Sequence, residues 1–462
     1  MKDQDSAALV IHRLGFAPSA DTLAAIATDP RAALLAELSN PKAGLIDQAG
    51  LMSSAEAFRE NRGLRKELKA FRKKNQNSGE KGEKANPVDA SGRPIQPARF
   101  VRDVFNSEIE ARLAAALDAK IGFSERWVWF WSNHFCVAAG AGTRPLVGAF
   151  EREAIRAHAF GRFADMLLAV EMHPAMLIYL NNNASIGPNS AAGRRRNRGL
   201  NENLAREIME LHTLGVRTGY TQTDVTSFAK IITGWRVAQP QQSDGGEFRF
   251  FPRAHEPGAQ VVLGKTYPDG GVEQGQAVLR DLAKHPATAK HIATKLARHF
   301  VADDPPRRLV NALETRFRET DGDLKELAKT LIIAPDTWEA PRAKLKRPGE
   351  WLVGALRVLG GNRPRPGFVV QNQTTLGEPW WRPPGPNGFS DDSTDWMSGL
   401  PQRIDVANFM ASRDAGTENV ETILDRTVGS LASAETRKAI QRAESRSQAL
   451  SLLLMAPEFQ RR

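Results

Sequence analysis

Apolar residues recur at three- and four-residue spacing along most of this chain, and that period predicts helices. The clearest window is 199–235, GLNENLAREIMELHTLGVRTGYTQTDVTSFAKIITGW. Leu204, Ile208 and Leu211 share one face of the first helix, Ala205 and Met209 widen it, and Leu214 extends it. Asn201 is a good N-cap type, and Gly215 stands where a left-handed residue ends a helix. Thr221-x-x-Asp224 opens a second helix with a capping-box pattern. Short helices are predicted over 6–40, with Gly15 ending the first and Ser19 and Asp21 as cap candidates. Further helices are predicted over 54–75, 107–117, 148–180 (broken at Gly161, restarted at His173-Pro174), 275–333 and 344–361. The run FSERWVWFWSNHF alternates Trp127, Trp129 and Trp131 as a strand would. It has no turn residues and sits among helices, so a buried helix is the reading adopted. LIIAPDTW (331–338) and LLLMAPEF (452–459) end two helices in the same manner.

Two kinds of segment break the helical pattern. Phe248-x-Phe250 and the Val261-Val262-Leu263 run predict a small β-hairpin or irregular β element near 245–265. Residues 75–97 read as a flexible loop by composition, and 181–199 as an Asn/Gly/Ser/Arg loop. A long Pro/Gly/Trp-rich segment carries Trp380, Trp381, Phe389 and Trp396, and it either lines a cleft or is pinned across the core. The expected fold is therefore mainly α: a multi-helix globular fold, one large domain or two lobes over about 1–235 and 236–462.

Composition adds less. The formal charge of +10 over 462 residues points to an anionic polymer or polysaccharide as partner, although no nucleic-acid motif is present. Much of the excess lies in Arg62–Lys84 and in Arg194–Arg196 with Arg198, and solvated surface is the competing reading. The single Cys136, between Phe135 and Val137, reads as a buried structural thiol and excludes an internal disulfide. His12 and Arg13 read as packing and surface charge. No apolar run reaches the roughly 18 residues of a membrane span. The N-terminus has no signal pattern. If homologues are exported, this chain either stays inside or is written without its signal.

The chemistry-bearing candidates gather on the 201–214 helix. At about 100° per residue, Asn203, Glu207 and Glu210 fall in an arc of about 60°. Glu207 falls between Leu211 and Leu214, at the core edge, where a carboxylate must be paired, liganded or protonated. No phosphate-binding loop, dinucleotide fingerprint, HExxH or GxSxG is present. The proposed constellation is Glu207, Glu210, His134 and His255 as catalytic groups, with Asn203, Arg206, Arg253, Trp380 and Trp381 holding substrate. No metal ligands and no cofactor are assigned. Three readings follow: a glycosidic-bond hydrolase using paired carboxylates, a divalent-metal protein, and a non-catalytic scaffold or partner-binding protein. In the last, Glu210 pairs with Arg206 and Glu207 with an arginine from elsewhere.

These residues also carry a resemblance. NENLAREIMELHTLGV, followed by GYTQTDV and ITGW, resembles the signature of the bacterial domain-of-unknown-function family numbered 1800. Trp131-Ser132-Asn133-His134-Phe135 is similar to its Trp-Asn-His-Phe element, and His255-Glu256 with Leu263-Gly264-Lys265 to its His-acidic and Leu-Gly-Lys units. Glu378 stands where the family has Leu-Gly-Gln. The similarity covers nearly the whole chain, and with no settled activity in the family it implies a fold and a site location only.

Overall fold

A computed structural model describes residues 3–19, 22–77, 87–89, 91–196, 199–361 and 363–462. Residues 78–86 and 90 of the 75–97 loop, the cap candidate Asp21 and Arg198 lie outside them. About 60% of the structure is helical, and the described residues hold four strands of three residues each, so the fold is mainly α. Trp235–Val237 pairs antiparallel with Phe248–Phe250, and Gln260–Val262 with Lys265–Tyr267. One contiguous cluster of buried apolar residues runs from Ala7 to Phe459.

The aromatic run forms the helix Phe123–His134, buried along almost its whole length. A helix hydrophobic on all sides is surrounded by protein. Around it lie Pro97–Asp118, the pair Val147–Phe150 and Glu151–Ile155, Pro286–Phe300 and Pro348–Leu359. Each of the two echoed sequences ends one helix and starts a short one at its proline: Leu324–Ile333 then Pro335–Glu339, and Arg446–Met455 then Pro457–Gln460.

Several expectations change. The Pro/Gly/Trp-rich segment contains a regular helix, Pro366–Thr375. Arg13 is not a surface charge: it is buried and donates to the carbonyls of Thr337, Ala340 and Pro341, tying the first helix to the start of the final third of the chain. His12 is buried beside it, against the Thr427 carbonyl and Lys346 Nζ. Asn182 and Asn183, in the loop after the 148–180 helices, bond the Trp235–Val237 strand and the turn before it.

The central helix departs from the α period. It is α-helical over Asn203–Glu207 and a π-helix over Ile208–His212. A π turn inserts one residue, so everything after it rotates by about a quarter-turn relative to an α-helix. His212 enters the core in place of Leu211, which is only half-buried. Glu207 consequently does not lie between two buried leucines. A second π segment, Glu151–Ile155, begins at another buried polar residue.

Candidate functional site

A cleft of about 570 Å3, part of it open to solvent, lies against the aromatic helix. Trp129, Ser132 and Asn133 come from that helix, and Arg112 from Pro97–Asp118. Arg347, Glu350 and His299 form the charged wall. The Pro/Gly/Trp-rich segment closes it with Glu378, Trp380, Trp381 and Phe389. Buried Gln373 adds an amide beside Gly349, where a Cβ would stand 2.5 Å from the Gln373 Nε2.

Arg112 is caged by the tryptophans, its guanidinium 4.0 Å above Trp129 and 5.2 and 5.4 Å from Trp380 and Trp381. It bonds Glu151 at 3.0 Å. Glu151 also accepts from Arg156 (3.0 Å), Ser132 (2.7 Å) and the Trp381 indole (3.0 Å). Burial pushes the Glu151 carboxyl up, but Arg112, Arg156 and the neutral donors outweigh it and hold its pKa below the ordinary value. Arg156 in turn forks onto Glu125 at 2.8 and 2.9 Å. Trp381 adopts a left-handed backbone, φ +44°, which is strained for a bulky residue. Its carbonyl accepts from the Ala139 N–H and its indole N–H donates to Glu151, so surrounding contacts over-determine the conformation.

The opposite wall is also neutralised pair by pair. Arg347 bonds Glu378, and the second Glu378 oxygen accepts the Gly349 N–H at 2.7 Å. Glu350 is held by Arg126 and Arg462; burial alone would raise its pKa, yet those guanidiniums keep it far below the carboxylate range. His299 donates Nδ1–H to Asp391 at 2.6 Å, and burial takes its pKa down to about 4. The ring is therefore neutral at neutral pH. Cys136 lies at the rim, donates to the Pro386 carbonyl at 3.2 Å, and is pushed up to about 12 by burial, which makes it an inert thiol. Among cleft residues, the indole N–H groups of Trp129 and Trp380 are buried without an acceptor among the described residues.

Of the residues singled out from sequence, Trp380 and Trp381 line this cleft, and Asn133 and Cys136 flank it. The others lie in two further places. Arg206 bridges Glu210 (3.3 Å), Glu202 (3.2 Å) and Gln222 (2.7 Å) on a surface where Asn203 is exposed. Glu207 is half-buried and, contrary to the expected second ion pair, forms no salt bridge with an arginine among the described residues; burial pushes its carboxyl up. His134 donates Nε2–H to the His212 carbonyl at 3.1 Å, and His291 does the same to Leu211. Both histidines thus cap orphan carbonyls at the end of the π segment. Burial lowers the His134 pKa well below the ordinary value. His212 itself bonds Glu171 at 2.7 Å in a fully enclosed pair. His255 belongs elsewhere: it contacts the Thr233 carbonyl at 3.0 Å beside Phe250, and Arg253 next to it is exposed. Neighbouring Glu256 accepts both donors of Asn189. No hydrogen bond or ion pair among the described residues joins His255 to Glu207, Glu210 or His134. Nor do three His, Cys, Asp or Glu side chains converge among them in a way that would hold a metal ion.

Sequence reasoning missed Arg112, Glu125, Glu151, Arg156, Arg347 and Glu350. Their one available signal was charge inside an apolar run, as for Glu125-Arg126 at the head of the tryptophan helix. Such a charge demands a partner, but the sequence does not say which.

A family model described as protein of unknown function (DUF1800) matches residues 9–461. No curated protein and no solved structure matches the chain.

Proposed function

Because this chain belongs to the DUF1800 family, whose description states no activity, its function has to be read from the cleft, and we propose a non-catalytic binding protein that takes one ring of an uncharged saccharide in its tryptophan-lined cleft. The carrying observation is the pairing of the lining. Arg112 is taken up by Glu151, Arg347 by Glu378, and Glu350 by Arg126 and Arg462. A lining without spare charge favours a neutral ligand, and the Trp129 and Trp380 indole N–H groups, which find no acceptor among the described residues, favour one rich in hydroxyl oxygens. Glu350 is held as an anion by Arg126 and Arg462 and so offers no proton to a bound ring, which favours binding over bond cleavage there. The buried pairs keep the walls rigid, which reduces the ordering cost of binding.

Titration of the purified chain with neutral oligosaccharides, followed by tryptophan fluorescence, tests this. Binding is expected, at least tenfold weaker in Trp380→Leu, with no reducing ends released. An unresponsive wild type across glucose- and N-acetylglucosamine-based oligomers would sink the reading. A second reading, glycoside hydrolysis, is favoured by Glu207, whose raised pKa and lack of a partner suit a general acid. Release of reducing ends by wild type but not by Glu207→Gln would select it instead.

A further inference from the structure

The helix Ser54–Asn77 carries eight Lys and Arg against three Glu, a net +5 and half of the chain's +10. Its inner face is spent on packing: Ala57 and Phe58 are buried, Arg59 donates to the Gly245 carbonyl, and Arg62 lies over the Phe58 ring. On the outer face Arg65, Lys69, Arg72 and Lys73 are exposed. Their four- and three-residue spacing puts them in one stripe about 12 Å long. With Pro97 and Ala98 they line an open groove of about 1170 Å3. Among the described residues nothing accepts from Lys69, Arg72 or Lys73, so the stripe repels itself until an anion arrives.

A second depression adjoins the groove. Arg65 and Arg62 line it, with Gly142 and Pro145. In that same loop exposed Arg144 lies 4.6 Å over the Phe105 ring, and Phe105 meets Trp381 edge-on at 5.8 Å. Trp381 is a wall of the cleft. The helix Pro97–Asp118 contributes residues to both the groove and the cleft. Ala98 at the groove and Arg112 at the cleft are about 21 Å apart along it and within about 40° on one face.

The stripe's chemistry selects a partner. Phe58 is buried and Phe71 half-buried, so no aromatic face is offered to nucleobases. Leu68 is half-buried too, leaving no apolar side chain to enter a lipid layer. Charge alone does the binding, along a line, beside a site suited to a neutral sugar ring. We propose that an acidic polysaccharide with alternating charged and uncharged rings lies along Arg65, Lys69, Arg72 and Lys73, passes Arg144, and places an uncharged ring in the cleft. This rests on the saccharide reading of the cleft.

The test uses the full chain and two probes: hyaluronan oligosaccharides, which alternate uronate and N-acetylhexosamine, and a neutral N-acetylglucosamine oligomer. The triple variant Lys69→Glu, Arg72→Glu, Lys73→Glu changes only exposed side chains, and its melting temperature reports whether it folds as wild type does. Expected are a hyaluronan affinity at least tenfold lower in the triple variant, a steep fall of wild-type affinity with salt, and neutral-oligomer affinity unchanged by the three substitutions. Unchanged hyaluronan affinity in the folded triple variant overturns the stripe. Hyaluronan bound through the stripe while the neutral oligomer fails to bind wild type overturns the cleft reading, and with it the placement of the uncharged ring. Double-stranded DNA displacing hyaluronan at equal or lower concentration overturns the choice of polysaccharide.

Discussion

Glu151 shows what a single buried charge does here. It holds two arginines, a serine and the strained Trp381, so it fixes both the helix packing and one wall of the cleft. Glu151→Gln keeps the shape but leaves two buried guanidiniums short of a counter-charge. Stability is expected to fall by about 3 kcal/mol or more in urea unfolding; a loss below about 1 kcal/mol would mean that Glu125 alone satisfies Arg156. Glu207 behaves in the opposite sense. Its folded pKa lies above its ordinary value, so the fold disfavours the anion. That cost is absent below the ordinary pKa and is reached in full once the pH exceeds the folded one. Glu207→Gln is therefore expected to be as stable as wild type, or more so, at pH 7, with no gain at pH 4. Thermal melts at both pH values check it, and a clearly less stable variant at pH 7 would reveal a partner. Trp380 and Trp381 could be picked from sequence because aromatics in a Pro/Gly-rich segment are conspicuous. Glu151 could not, because a Glu in a helical run looks like any surface Glu until its burial is known.

At the scale of elements, caps were legible and the π turns were not. Thr221 and Asp224 form the capping box that their spacing announces. The structure adds that Asp224 Oδ1 also accepts the Leu263 N–H at 2.7 Å, joining the helix to the small hairpin. Asp224→Ala removes both links, and a loss of about 1–2 kcal/mol is expected from chemical denaturation; a loss like that of an ordinary surface substitution would show that the hairpin link is idle. The π segment at Ile208–His212 exists because two demands meet there. Leu204, Ala205, Ile208 and Met209 must stay in the core, and His212 must reach Glu171. One extra residue in the turn satisfies both, and His134 and His291 bond the carbonyls that the turn leaves exposed. No local pattern encodes this, since the partners lie about 40 to 80 residues away.

Across the whole molecule, buried neutral histidines set the acid limit. Burial lowers His12 and His134 well below the ordinary value, and takes His291 and His299 to about 4. A base with a depressed folded pKa contributes fully above its ordinary pKa, near 6.5, and loses that contribution as the pH falls toward the folded value. Each histidine is worth up to about 1.4 kcal/mol per pH unit in that window. The melting temperature is expected to drop steadily from pH 6.5 to pH 4.5, with net proton uptake on unfolding near pH 5. Glu151, Glu350 and Asp391, whose pKa values are depressed, add their loss only below the ordinary carboxylate range. A flat melting temperature between pH 7 and pH 5 would show that these rings do not stay neutral in the fold.

The helical class, most helix positions, the hairpin region, the Thr221 cap and the aromatic character of the cleft segment were all written in the sequence, because each depends on periodicity or on residues a few positions apart. The tertiary structure alone decided which charges are buried, which arginine meets which carboxylate, where the helix takes a π turn, and that His134 and His255 serve separate neighbourhoods. Those outcomes depend on contacts between segments tens to hundreds of residues apart. Charged side chains leave no mark of burial in a one-dimensional pattern, and their partners are fixed only when packed helices bring them within hydrogen-bond reach.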